Sequence, residues 1–168
     1  IKCPNYLKPL ELVLYAINRF FISRFDKCWV PDYQSAENLS GDLSHKFQLP
    51  KARFIGPLSR FSMLRPPPNI QYNKYDLMVV ISGPETQRTV FEKLVLRQLK
   101  HTHLKFLMVR GTVEGEEEAF QNTNYSLFPH LETQDMYRAM LESKIILSRP
   151  GYSTIMDLAA AGKKAIFV

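Results

Sequence analysis

Cysteine is nearly absent from this 168-residue chain: there are two, Cys3 and Cys28, with no CxxC pair and no histidine at metal-ligand spacing. That rules out a disulfide framework or a structural zinc site as the basis of the fold, and two thiols in a reducing compartment are expected. A long apolar run is missing too. The most apolar stretch, Leu7 to Phe25, is broken by Glu11, Asn18, Arg19 and Arg24, which argues against a spanning helix. Nothing at its start has the pattern of a signal peptide. Blocks of consecutive Lys/Arg and aromatic-basic alternation are also lacking. The 22 Lys and Arg against 16 Asp and Glu, a net charge of +6, are spread along the chain. No nucleic-acid partner is expected on that pattern, and a small anionic ligand or a merely solvated surface accounts for the surplus.

What is there is ordinary for a globular domain: 45% apolar and 23% charged residues. The length suffices for one domain with an appendage, burying about two thirds of its unfolded surface. The chain starts at Ile1 and ends on Ala165-Ile-Phe-Val168, an apolar run that reads as a core strand. Both ends are therefore expected to continue into a longer parent protein.

Apolar residues at 10, 13, 14, 17, 20, 21 and 25 have helical period, predicting a helix over Leu10–Phe25 with Pro9 in its first turn. Cys28–Val30 reads as a short strand, and residues 33–50 read as a loop or linker. From there strands are predicted at Ala52–Ile55, Leu77–Ser82, Phe106–Arg110, Tyr125–Phe128, Ile145–Ser148 and Ala165–Val168. Helices fall between them at Glu85–Lys100, Gln134–Ser143 and Thr154–Ala161, and Gly115–Glu118 is an exposed acidic loop or helix start. Strands rich in Val, Ile, Leu and Met without polar alternation suit a parallel sheet buried on both faces. Regular alternation of strand and helix gives an α/β class, a Rossmann-like parallel sheet with helices on both faces.

Such sheets bind ligands beyond the carboxyl ends of their strands. The residues there are Gly56–Arg60, Ser82–Arg88, Gly111-Thr112, Pro129–Leu131 and Arg149–Thr154. The richest segment runs from Ile145 to Val168: a strand, the turn Arg149-Pro-Gly151, and a helix start. Amides at that start can receive a phosphate, and Asp157, on the face of Thr154, can accept hydrogen bonds from a ribose diol. Thr154-x-x-Asp157 is equally a capping box in which both side chains serve the helix's own amides, with Gly162 closing the helix. The local pattern leaves both open.

This segment resembles the donor-site motif of family 28 glycosyltransferases, a family that includes the N-acetylglucosaminyltransferases acting on lipid-linked peptidoglycan precursors. Gly151, Thr154, Gly162 and the strand Ala165–Val168 match, with Asp157 standing where a Glu is usual. The resemblance implies the C-terminal half of a GT-B fold and a UDP-sugar donor. The diphosphate would lie on the amides of Tyr152, Ser153 and Thr154, and the ribose on Asp157. Gly56 and Arg60 match a Gly-x-x-x-Arg turn whose arginine faces the donor phosphate, a task suited to a guanidinium fork. Ser82, Gly83, Gln87 and Arg88 fall where the family has a Gly-Gly-Ser-x-Gly loop, of which this chain keeps one glycine. Leu131 and Thr133 fall in the base-recognition loop, with Met136 behind.

The resemblance further implies inverting transfer to a sugar or lipid-linked acceptor, with no metal and no cofactor beyond the UDP-sugar. The expected domains are 1–50, the tail of an acceptor domain whose missing part holds the catalytic base, and 51–168, the nucleotide-sugar-binding domain. The chain alone is expected to transfer no sugar. A cytoplasmic location is expected. For the helix over Leu10–Phe25, packing on its own domain and peripheral contact with the membrane face are the two expectations, the latter with Lys8, Arg19 and Arg24 near anionic headgroups. A UDP-sugar 2-epimerase of the same fold and a donor-binding subunit paired with a separate acceptor subunit are the alternatives.

Overall fold

The computed structural model describes residues 8–46, 51–112, 120–121 and 123–168; Cys3 and the acidic segment 115–118 lie outside them. The chain divides into two compact units, Ile1–Leu58 and Ser59–Val168.

The first unit holds α1 (Lys8–Ser23), β1 (Cys28–Val30), α2 (Asp42–His45) and β2 (Ala52–Phe54). β1 and β2 pair in parallel, Cys28 opposite Ala52 and Val30 opposite Phe54. The strand expected to open the α/β domain at Ala52 is thus recruited by Cys28–Val30. The division accordingly falls after Leu58 and not near residue 50. Residues 42–45, expected in a loop, form one short helical turn. Along α1, Leu10, Leu12, Val13, Leu14, Ile17, Phe20 and Phe21 are all exposed, contrary to the expectation that the helix packs on its own domain.

Asp32 organises the loop between β1 and α2. It is fully buried and accepts the amides of Tyr33 at 2.7 Å, Leu39 at 2.9 Å and Ser40 at 3.0 Å. The Ser40 hydroxyl also donates to it. Burial alone would push this carboxyl up, but the hydrogen bonds from Leu39, Ser40 and Tyr33 outweigh it and hold the pKa at about 2.

The second unit is a six-stranded sheet in the order β5-β6-β4-β3-β7-β8. Its strands are β3 (Tyr75–Val80), β4 (Phe106–Val109), β5 (Phe120–Gln121), β6 (Tyr125–Phe128), β7 (Ser143–Ser148) and β8 (Ala165–Phe167), with helices α3 (Gln87–Leu99), α4 (Thr133–Glu142) and α5 (Tyr152–Ala161). All pairings are parallel except that of the edge strand β5 with β6. Alternate residues serve opposite faces. Met78, Leu107, Val109 and Ile146 pack with Met136, Met140 and Leu158 of α4 and α5, while Val79, Ile81 and Met108 pack with Phe91 and Val95 of α3. This is the Rossmann-like sheet with helices on both faces that the apolar, non-alternating strands call for.

Several bounds differ from the sequence expectation. β3 spans Tyr75–Val80, so Ser82 lies in the following loop. α3 begins at Gln87 and not Glu85, because Thr86 adopts a φ of 69° that no helix accommodates; Pro84 is therefore outside the helix. α5 begins at Tyr152, two residues before Thr154. β8 joins the sheet in parallel with β7, Ala165 opposite Ile146 and Phe167 opposite Ser148. Gly162 closes α5 as expected: at φ 62° its amide reaches the Ala159 carbonyl, and that of Lys163 the Leu158 carbonyl.

Because the folded pKa of Asp32 lies below the ordinary carboxylate value, its contribution is present above about pH 4 and lost as pH falls through about 2. We expect the difference in unfolding free energy between wild type and Asp32→Asn to shrink by on the order of 2–3 kcal/mol across that window, read from denaturant melts at stepped pH. A constant difference would show that the carboxylate's hydrogen bonds do not govern acid stability.

Candidate functional site

From β3 the sheet grows in two directions, through β4 and β6 on one side and β7 and β8 on the other. Loops leaving the carboxyl ends of β3 and β7 therefore diverge and leave a crevice, the usual place for a ligand in an open parallel sheet. Ile81–Thr86 forms one wall and Arg149–Gly151 the other.

The second wall leads directly into α5. Gly151 is the N-cap, with φ −74° and ψ 141°, and no side chain caps the helix. Thr154 sits in the third helical position, and Asp157 falls beyond the first turn. The capping-box alternative is thereby overturned: Gly151 and not Thr154 is the N-cap, and no side chain makes a cap hydrogen bond. First-turn amides have no acceptor within a helix, and the macrodipole adds positive potential there. A Cβ on Gly151 would meet only Thr154 Oγ1, at 3.5 Å. Backbone strain does not demand glycine here, and its effect is to leave the turn bare. Just before the turn, the fully buried Ser148 Oγ has no hydrogen-bond partner, which holds for no other buried side-chain polar atom among the described residues.

Asp157 is 6% exposed, and its partners come from the opposite end of the unit. Ser59 Oγ donates to Oδ1 at 2.6 Å and Arg60 Nε donates to Oδ2 at 3.0 Å. Ser59 Oγ in turn accepts the amide of Phe61 at 3.0 Å. Phe61 is buried against the Tyr137 ring of α4, centroids 5.2 Å apart. One anchor on α4 and two hydrogen bonds to α5 thus pin this segment. A carboxylate offers about four acceptor positions, and these two bonds use about half of them.

On the first wall, Gly83 has a φ of 111°, and a Cβ there would lie 2.6 Å from Arg149 Nη1. The backbone torsion favours glycine, and a side chain here would have to displace the Arg149 fork. The Arg149 guanidinium stacks over Phe91 at 5.4 Å and donates to the Gln87 carbonyl at 3.2 Å and to Gln87 Oε1 at 3.4 Å. Arg149, Phe91, Thr86, Gln87, Val90 and Leu94 line a recess of about 320 Å³. Arg88 is held elsewhere, donating to the Arg110 carbonyl at 3.0 Å and pairing with Glu85. Arg110 in turn pairs with Glu92 at 2.6 Å.

Beyond β6, Leu131 is half-buried against the core and Met136 is buried. Thr133 opens α4, whose N-cap Glu132 makes no side-chain cap. His130 is exposed, 3.7 Å from Glu132.

Of the residues singled out in the sequence, Gly151, Tyr152, Ser153, Thr154 and Asp157 lie on the β7–α5 segment, and Ser82, Gly83 and Gln87 on the facing wall. Arg60 joins the former through Asp157. Arg88 is engaged by Glu85 and Arg110. Gly56 belongs to the first unit, where its amide donates to the Asp32 carbonyl at 3.1 Å. Ser59 and Arg149 are the additions. Ser59 carried a local signal, a hydroxyl two residues before a buried Phe61, as in a turn closed on its own backbone. Arg149 lay inside the motif but gave no sign of where its fork would reach.

The clasp on Asp157 is testable through coupling. Ser59→Ala and Asp157→Asn should each lower stability, and their double variant should fall short of the sum by about 1 kcal/mol in denaturant melts. Strict additivity would mean that the Ser59–Asp157 bond contributes nothing.

The family model described as the glycosyltransferase family 28 C-terminal domain matches residues 78–168, more than half of the chain. It takes in the crevice from β3 onward, including α5 and Asp157. No curated protein matches the chain. With the crevice at β3 and β7 and the bare turn into α5 inside the matched span, the chain belongs to glycosyltransferase family 28 through its C-terminal, donor-binding domain.

Proposed function

We propose that this domain binds a UDP-sugar and serves an inverting transferase that passes the sugar to a sugar or lipid-linked acceptor. The observation that carries the proposal is the uncapped start of α5 at the crevice, with Asp157 held one and a half turns further along the same helix. Diphosphate oxygens accept from the amides of Ser153 and Thr154, where the helix dipole favours negative charge. The ribose diol donates to the remaining lone pairs of Asp157, which Ser59 and Arg60 hold in one rotamer. Backbone groups of Leu131 to Thr133 read the uracil edge, with Met136 closing the space behind.

In the transfer step an acceptor hydroxyl attacks the anomeric carbon as its bond to the diphosphate breaks, inverting configuration and releasing UDP. Charge grows on the leaving diphosphate, and fixed donors aimed at it lower the barrier. The chain's own residues thus orient the donor and stabilise its leaving group. The general base and the acceptor site are proposed to lie in an acceptor domain outside this chain, so that the chain by itself transfers no sugar. An acceptor of peptidoglycan-precursor type would suit peripheral attachment of α1 to an anionic membrane face, with Arg19 and Arg24 flanking exposed Phe20 and Phe21. No helix among the described residues is long and apolar enough to cross a membrane.

The test compares UDP with its 2′,3′-dideoxy analogue on wild type and Asp157→Asn by titration calorimetry. Wild type should prefer UDP, and the substitution should lower UDP affinity about tenfold or more while erasing most of that preference. If the preference survives unchanged in Asp157→Asn, Asp157 is a structural tie to Ser59 and Arg60 and not the ribose acceptor.

A further inference from the structure

The crevice has three arginines near it, and their charges are not equivalent. Arg60 is paired with Asp157 at 3.0 Å. Arg88 is paired with Glu85 and spends a second N–H on the Arg110 carbonyl. Arg149 has no carboxylate partner among the described residues; both of its hydrogen bonds go to neutral acceptors of Gln87. It reaches from the end of β7 across to the β3 loop, where its Nη1 lies 2.6 Å from the position a Cβ on Gly83 would take. It is half-buried, stacked on Phe91, and so held in one place. A fixed, uncompensated guanidinium that bridges both walls, three residues before the start of α5, is arranged for an anion.

Resting on the donor-site reading, we infer that Arg149 carries the charge that meets the donor's diphosphate, while Arg60 acts as a positioning residue that holds Asp157. The two arginines then divide the ligand between them. Arg149 acts on the diphosphate and leaves the nucleoside unaffected. Arg60 acts on the nucleoside through Asp157 and affects any ligand that contains a ribose. The single glycine of the β3 loop fits this division. A loop with further glycines would let backbone approach the phosphates, whereas here Gly83 makes room for a side chain from the opposite wall. The recess beside α3 is lined by Val90, Phe91 and Leu94 and offers the guanidinium no competing carboxylate.

The experiment measures UDP, uridine and inorganic pyrophosphate against wild type, Arg149→Met, Arg149→Gln and Arg60→Met by titration calorimetry. Methionine keeps an apolar side chain beside Phe91, and glutamine keeps a donor for the Gln87 carbonyl, so two variants guard against misfolding. Both Arg149 variants should bind UDP and pyrophosphate about tenfold or more weakly and uridine as well as wild type does. Arg60→Met should weaken UDP and uridine by the same factor. The salt dependence of UDP binding should flatten in the Arg149 variants and persist in Arg60→Met. Unchanged UDP and pyrophosphate affinity in the Arg149 variants overturns the inference. So does an equal loss for UDP and uridine, which would make Arg149 a brace for the loop. Wild type that binds pyrophosphate but neither UDP nor uridine contradicts the nucleotide reading alone, whereas wild type that binds no pyrophosphate contradicts the role of Arg149.

Discussion

The parallel pairing of β3 with β7, Leu77 opposite Ile145 and Val80 opposite Ser148, is the constraint on which the rest of the second unit depends. It joins two strands separated in sequence by α3, β4, β5, β6 and α4, and it places their carboxyl ends side by side. Since the chain proceeds from these strands in opposite directions across the sheet, their outgoing loops part. The turn into α5 and the glycine loop face each other for that reason, and Arg149 can span them. The fully buried Met78, Val79 and Ile146 hold the register from both faces, and a slip of one residue would exchange the residues of the two cores.

A second constraint builds on the first. Asp157 would be a costly buried charge if left alone, since an unpaired ion in a protein interior is destabilising. Ser59 and Arg60 compensate it, and they are held in reach by Phe61 against Tyr137. The segment that opens the second unit is thus fastened to the helix that starts at the crevice. The glycosyltransferase family 28 match covers the helix but begins at residue 78, so the Ser59–Arg60 half of the clasp is a feature that only the structure joins to it.

The sheet was largely legible in the sequence because parallel strands buried on both faces leave continuous runs such as Leu77–Ile81 and Phe106–Val109, which no solvent-facing residue interrupts. What escaped was set by backbone torsion or by distance. Nothing in Pro84-Glu85-Thr86 signals a φ of 69° at Thr86, so the sequence pattern alone starts α3 two residues early. The pattern Thr154-x-x-Asp157 has the form of a cap, yet the chain turns helical at Tyr152 and Asp157 bonds to Ser59 and Arg60. β5 spans two residues, too few to show a period. Ala52–Phe54 has the composition of a sheet strand but finds its partner in Cys28–Val30. The donor motif itself was legible as a local string. The bond from Ser59 to Asp157 was not, because its partners stand 98 residues apart in the chain.

The central claim is that a nucleoside diphosphate lies on the start of α5 with its ribose at Asp157. Its most direct test is an amide-resolved NMR titration of the chain with UDP. The account predicts the largest shifts at Gly151, Ser153 and Thr154, with smaller ones at Gly83 and near Leu131, and shifts at the α5 start that saturate together with those of Asp157's neighbours. Saturating shifts confined to other surfaces, with the amides of Gly151 to Thr154 unmoved, would contradict it.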